Sequence, residues 1–251
     1  MGNICVRGFA ARTTTVGYLN TCNNSIRCKV IYSYQKQLMK IVVFGATGIV
    51  GRAVVNEALN KGHEITVLTR NARNVTVQHE RLHVVEGNPT DRDAVRRVLE
   101  GQQAVIQTLG IGGKGDGKPT RFVSDTNGLI MEEMKRVNIR RLIAISVIGA
   151  GDSLTFLPWI YRKLVLPVFM KWFQAIIDDK NRMEVMIRES GLDWTIVRCT
   201  TVKERAAKGR VHATLDGKGL TFSIAAADMA CFLVEQLTDD RFLKQAPTIS
   251  N

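Results

Sequence analysis

The 251-residue chain is 45% apolar and 23% charged, which bounds it as one large globular domain with its own core and excludes disordered and fibrous classes. Its net charge of +12 points to a polyanionic ligand. No dense basic block or nucleic-acid reader motif accompanies that charge, so no nucleic-acid partner is expected, and no stretch of about 18 apolar residues predicts a transmembrane helix.

Residues 1–38 carry Arg7, Arg12, Arg27, Lys29 and Lys36 and no Asp or Glu, amid Ser, Thr and Asn. That composition fits a mitochondrial or plastid targeting peptide, and equally a start codon misplaced upstream of Met39. The tail is expected to lie outside the fold, with the domain proper at 39–251 and a cytoplasmic location unless the tail is a transit peptide. Met1-Gly2-Asn3-Ile4-Cys5-Val6 falls short of an acylation signal at Val6. Cys5, Cys22, Cys28, Cys199 and Cys231 show no Cys-x-x-Cys spacing, and His63, His79, His83 and His212 are scattered. A reduced protein with neither a disulfide framework nor a metal is expected.

From Met39 onward short apolar runs alternate with amphipathic stretches. Lys40–Phe44 predicts a buried strand, and Val50, Ala53, Val54 and Ala58 recur at helical spacing before a stop at Gly62. Glu64–Thr69 and Leu82–Glu86 predict the second and third strands, and Asp91 starts a short helix to Leu99. Ala104–Leu109 is the fourth strand, followed by a glycine-rich segment to Gly117. A helix over Arg121–Val137 turns Phe122, Val123, Leu129, Ile130, Met134 and Val137 inward, and Arg141–Ile145 is the fifth strand. Met183, Met186 and Ile187 mark a helix stopped at Gly191, and Trp194–Val197 is the sixth strand. Ser223 is expected to open a last long helix through Leu237. This alternation predicts an α/β, Rossmann-like, doubly wound parallel sheet.

Gly45-Ala-Thr-Gly-Ile-Val-Gly51 sits directly after a buried strand and directly before a helix, the context of a dinucleotide phosphate loop. Gly45 permits the sharp turn, Gly48 lets the backbone approach a pyrophosphate, and Gly51 lets the helix pack close. Amides from Thr47 to Val50 then face the anion. An acid about 20 residues past the glycines would select NAD through the ribose. That place holds Thr69-Arg70-Asn71-Ala72-Arg73 instead, and Arg70 and Arg73 suit a 2′-phosphate, so NADP is expected in preference to NAD.

Ile41-Val-Val-Phe-Gly-Ala-Thr-Gly48, Thr66-Val-Leu-Thr-Arg70, Ile143-Ala-Ile-Ser146, Arg188-Glu-Ser-Gly-Leu-Asp-Trp-Thr-Ile-Val-Arg198 and Thr214-Leu-Asp-Gly-Lys-Gly219 resemble the atypical short-chain dehydrogenase/reductase proteins. Within them the chain resembles the NAD(P)H-binding, NmrA-like branch that contains flavin reductase/biliverdin-IXβ reductase. The resemblance implies that Gly45, Thr47, Gly48, Ile49 and Val50 hold the pyrophosphate and Arg70 the 2′-phosphate. It places Asn88 near the adenine, Leu109 and Gly110 along the cofactor cleft, and Ser146 beside the nicotinamide. The usual dehydrogenase pair, Tyr with Lys four residues later, is missing after the fifth strand: Tyr161 is followed at that spacing by Val165. Two histidines near the substrate of flavin reductase are also missing, with Lys180 and Thr201 in the approximate places.

Two roles are open to Lys180: stabilising negative charge on an acceptor, or, as the preferred reading, pairing with Asp178 or Asp179. Leu154–Ile177 is an apolar insert after the fifth strand. A helical pair packed on the sheet or a dimer contact is the favoured reading, with a lid over a planar acceptor or a basic membrane-surface segment as alternatives. The expected function is NADPH-dependent hydride transfer to a flavin, biliverdin-like or other conjugated small-molecule acceptor, by a monomer or homodimer. Alternatives are an NADP(H)-binding redox-sensing regulator without turnover and, less favoured, a sugar-nucleotide epimerase-like enzyme.

Overall fold

The computed structural model describes residues 38–111, 118–160, 162–164 and 171–251. The expectations for residues 1–37, for the glycine-rich stretch 112–117 and for part of the apolar insert fall outside the described residues.

Ile41, Val42, Val43 and Phe44 are all fully buried, as a strand covered on both faces must be. They form β1 (Lys40–Phe44), the centre of a sheet with β2 (Glu64–Thr69), β3 (Leu82–Glu86), β4 (Ala104–Gln107), β5 (Arg141–Val147) and β6 (Asp193–Cys199). These run parallel in the order β3-β2-β1-β4-β5-β6. Beyond β6 come β10 (Thr248–Ser250), parallel to it, and β8 (His212–Thr214), antiparallel to β10. The chain therefore has the predicted Rossmann-like, doubly wound architecture.

Alternate residues of each strand enter opposite cores because side chains of a strand alternate between faces. Ile41, Val43, Ile106, Ile143 and Val197 pack against α1 (Ile49–Asn60) and α5 (Ala226–Glu235). Val42, Phe44, Val105, Leu142 and Ile196 pack against α2 (Arg92–Leu99), α3 (Phe122–Arg136) and α4 (Lys171–Glu189). Asp91 caps α2, accepting the Asp93 amide at 3.0 Å.

One predicted helix start needs correction. Ser223 does not open the last helix: Ser223–Ala225 is a strand, β9, paired in parallel with β7 (Thr201–Lys203) as a separate two-stranded sheet, and α5 starts at Ala226. Val202 lies opposite Ile224, so a partner some twenty residues upstream overrides the helical period that Ile224 shares with α5.

The end of the sheet nearest α4 is tied by buried charge. Arg198 of β6 donates from Nε to Glu184 Oε1 at 3.0 Å and from Nη2 to Glu184 Oε2 at 2.7 Å, while its Nη2 also reaches Asp152 at 2.6 Å. Arg198 and Glu184 are 1% and 2% exposed. The chain turns beside them at Gly151, with φ +57°, where an added Cβ would lie 2.4 Å from Arg198 Nη2. Replacing Arg198 with Met leaves the buried Glu184 carboxylate with the half-exposed Arg188, at 3.6 Å, in place of two short charged hydrogen bonds, and is expected to cost about 3 kcal/mol in urea unfolding. Adding Glu184→Leu to that variant is expected to recover most of the loss.

Candidate functional site

The glycine loop follows β1 directly, and its three glycines answer different demands. Gly45 has φ +84°, and an added Cβ would lie 2.7 Å from Thr108 Oγ1 and 2.8 Å from the Thr108 carbonyl carbon. At Gly51 an added Cβ would lie 2.0 Å from the Gly45 carbonyl oxygen. The fold itself therefore requires both. Gly48 differs, because an added Cβ there would meet only the Gly45 oxygen, at 3.4 Å. Folding leaves room for a methyl at Gly48, whereas a ligand approaching the backbone would not.

What would approach is an anion. Gly48 caps α1 without a side-chain acceptor, and the first turn holds no acid. The amides of Ile49, Val50 and Gly51 lack carbonyl partners inside the helix, as at any helix start, and they lie at the positive end of its dipole. A pyrophosphate fits this cradle. Beside it, Arg52 donates to the Thr47 carbonyl at 3.3 Å and pairs with Glu204 at 2.8 Å.

Because the six strands are parallel, every other predicted site residue sits at the same, carboxyl edge of the sheet. Arg70 and Arg73 follow β2, are exposed and have no ion pair among the described residues. The bend carrying them is pinned beneath: Asn71 Oδ1 accepts the Arg73 amide at 2.9 Å, and Glu86 at the end of β3 accepts the Ala72 amide at 2.8 Å. Asn88 follows β3, and its Oδ1 accepts the Thr90 amide at 3.1 Å, closing a turn. Leu109 and Gly110 lie just past β4 rather than within it, and Gly110 borders open space, with nothing within 4 Å of an added Cβ.

Ser146 and Lys180 are brought together at the ends of β4 and β5. Lys180, on α4, is 3% exposed and donates to the Ile145 carbonyl at 2.7 Å and the Leu109 carbonyl at 3.1 Å. Among the described residues its third donor meets only the Met183 sulfur, at 3.9 Å. Burial pushes the Lys180 ammonium down to about 8, against the opposing pull of Cys199, Asp179 and Glu184. The preferred pairing with Asp178 or Asp179 is not formed. Asp179 instead caps α3, accepting the Val123 and Ser124 amides at 2.9 and 3.1 Å.

Ser146 is fully buried, and its hydroxyl has no partner among the described residues. Its carbonyl accepts the Cys199 thiol at 3.3 Å, and burial pushes that thiol up to about 11, which leaves it protonated and a poor nucleophile. Residue 176, four before Lys180, is Ile, so α4 carries a lysine without the tyrosine usual in dehydrogenases. Thr201 begins β7.

Two residues of this region escaped the reading of the sequence. Gln107 on β4 and Asn127 on α3 are fully buried, and Gln107 Oε1 and both amide atoms of Asn127 are unpartnered. The available signals were a glutamine ending an otherwise apolar Ala-Val-Ile-Gln run and an asparagine in the apolar stripe of Val123, Ile130 and Met134.

A family model described as NAD(P)H-binding matches residues 45–240. The chain belongs to the NAD(P)H-binding family. The matched span starts at Gly45 and takes in the glycine cradle, Arg70, Ser146 and Lys180. The family and fold fit the resemblance to atypical short-chain dehydrogenase/reductase proteins, and the cofactor is a nicotinamide dinucleotide. The chain is 29% identical over 188 residues to UPF0659 protein C216.03 of Schizosaccharomyces pombe, covering 68% of this chain and 73% of that one. Its fold is similar to ChuY, an anaerobilin reductase from Escherichia coli O157:H7, with TM-score 0.68 and 22% identity over 84% of this chain and 96% of that one. It is also similar to a short-chain dehydrogenase/reductase from Veillonella parvula in complex with NADP, with TM-score 0.66 and 18% identity over 85% and 94% of the two chains.

Two outcomes test this geometry. Gly48→Ala is expected to leave the urea midpoint nearly unchanged but weaken dinucleotide binding about tenfold or more, whereas Gly51→Ala is expected to lower stability by about 1–3 kcal/mol. The Lys180 shift sets a pH dependence with a definite sign. Above about 8 the folded protein has released a proton that the unfolded chain still holds. Wild-type stability relative to Lys180→Met should therefore rise with pH from about 8 toward the ordinary lysine value in parallel denaturation series.

Proposed function

We propose that this chain is an NADPH-dependent reductase that passes a hydride to a conjugated small molecule, a flavin or a biliverdin-like tetrapyrrole being the best-fitting classes. The observation that carries the reading is the buried Lys180 ammonium, anchored on the carbonyls of Leu109 and of Ile145, next in the chain to Ser146, whose buried hydroxyl is unpartnered among the described residues. A fully buried hydroxyl without a protein partner calls for one from a ligand or water. In this reading Ser146 orients the nicotinamide carboxamide or the acceptor. Lys180 turns its third, weakly held proton toward negative charge that develops on the acceptor, in a water-poor setting that strengthens the interaction.

NADPH, when bound, supplies the hydride, so the protein's task is chiefly orientation and charge. The two electrons enter the conjugated system at one carbon, and the resulting anion takes its proton from Lys180 or from solvent. Tyr161 has Val165 where a lysine would be, and Lys180 has Ile176 four residues before it, so this region offers no Tyr–Lys pair to protonate an alkoxide, which weighs against alcohol and sugar-nucleotide chemistry. A conjugated acceptor delocalises its charge and does not need that acid. The tetrapyrrole class draws support from the fold shared with an anaerobilin reductase.

Arg70 and Arg73 favour NADPH over NADH. They lie just past the end of β2, exposed and with no ion pair among the described residues, as a 2′-phosphate needs. Glu86, the nearest strand-end acid, is engaged by the Ala72 amide.

The test follows NADPH and NADH absorbance with the full chain and a panel of flavins, quinones and biliverdins. Oxidation of NADPH by at least one acceptor is expected, with kcat falling about 10–100-fold in Lys180→Met. Tight NADPH binding with no oxidation by any acceptor would overturn the reductase in favour of an NADP(H)-binding regulator. Arg70→Ala is expected to weaken NADPH binding about tenfold or more while sparing NADH. Unchanged NADPH affinity would overturn the cofactor preference alone.

A further inference from the structure

We propose that the helical turn around Trp159 docks this protein on the surface of an anionic lipid bilayer. Eleven large apolar side chains are exposed among the described residues, and four of them, Leu154, Trp159, Ile160 and Leu164, fall within one stretch at 38%, 66%, 57% and 52% exposure. That clustering separates them from the scattered exposed apolar residues of an ordinary surface.

The backbone arranges the last three of them on one side. The Arg162 amide donates to the Pro158 carbonyl at 3.2 Å, closing a helical turn. Residues four apart on such a turn are neighbours, so Lys163 follows Trp159 and Leu164 follows Ile160 on a single face. Lys163 is itself exposed. The face thus pairs an aromatic and two aliphatic side chains with a cation. A neighbouring hydrophobic core would accept the first group and reject the second.

The charge identifies the occupant. From Ser153 to Ile177 the sequence contains Arg162, Lys163 and Lys171 and no acid, within a chain of net charge +12. A second copy of this chain would bring the same cations face to face. An anionic bilayer complements them, admits Trp at the headgroup level and lets lysine stems lie along apolar surface with their heads in water. Among the described residues no helix is long and apolar enough to cross a membrane, so the contact runs along the surface.

Co-sedimentation of the full chain with phosphatidylcholine vesicles, with and without phosphatidylglycerol, tests this directly. Binding to the mixed vesicles is expected, weakening as salt is added. The triple variant Trp159→Ser, Ile160→Ser, Leu164→Ser should lower the partition coefficient about tenfold or more. Lys163→Glu should lower it at least about fivefold, and serves alone if the triple variant fails to fold by circular dichroism. No binding to mixed vesicles, or wild-type partitioning by both folded variants, would overturn the proposal. So would light scattering that shows a dimer abolished by the triple variant, because the occupant would then be a second copy. Wild-type vesicle binding with lost acceptor turnover in the triple variant would assign the face to the acceptor instead.

Discussion

The Gly45 carbonyl and the backbone of Gly51 approach so closely that a single methyl group on Gly51 would lie 2.0 Å from the oxygen. That contact fixes the angle at which α1 leaves β1, and hence where the helix's unpaired amides point. Once α1 crosses back over the sheet, β2 must run parallel to β1, and each later crossover repeats the constraint. All strand ends with chemistry therefore share one edge. The anion cradle, the Arg70 bend, Ser146 and the Lys180 anchor are neighbours for this reason rather than through any proximity in sequence.

Helix α4 shows how that edge is equipped. Asp179, Lys180 and Glu184 lie within two turns, yet each serves a different element. Asp179 caps α3, Lys180 bridges the ends of β4 and β5, and Glu184 grips Arg198 of β6. Adjacent helical residues point about 100° apart, which is why Asp179 and Lys180 do not pair despite their proximity along the chain. Ser146 lies directly across from Arg198 in the β5–β6 register. The ion pair that holds α4 to the sheet thus also sets the distance at which Lys180 meets the strand ends. Interior charges of this kind add little net stability, but they define position, since any shift leaves one of them unpaired.

The apolar insert follows a different logic. Its density of aromatic and aliphatic residues reads most simply as core, and part of it behaves so: Ile177 is buried in α4. Trp159, Ile160 and Leu164 are left outside together with the exposed Lys163, while Arg162 between them is half-buried. Hydrophobic content alone does not distinguish a packed helix from a surface-seeking one. The placement of charge on the same face does.

Much of the fold was legible in the sequence. The first three strands match their predicted bounds, and the six-strand parallel core and its glycine turn follow from local periodicity and from residues with few conformational alternatives. The setting a phosphate loop would need was readable because its requirements are local: a strand, a glycine turn and a helix in succession. The short strands β7, β8, β9 and β10 were not, since three residues carry no periodic signal and their partners lie far along the chain. The same division holds at the site. Gly45, Gly48, Gly51 and Arg70 announce themselves by type and spacing. The burial of Lys180, the orphaned Ser146, Gln107 and Asn127, and the Arg198–Glu184 clasp emerge only when four elements converge. The sequence by itself determined where a dinucleotide could bind, because backbone conformation is a local property. Which polar groups were taken out of water was decided by tertiary structure alone, because burial belongs to the packed whole.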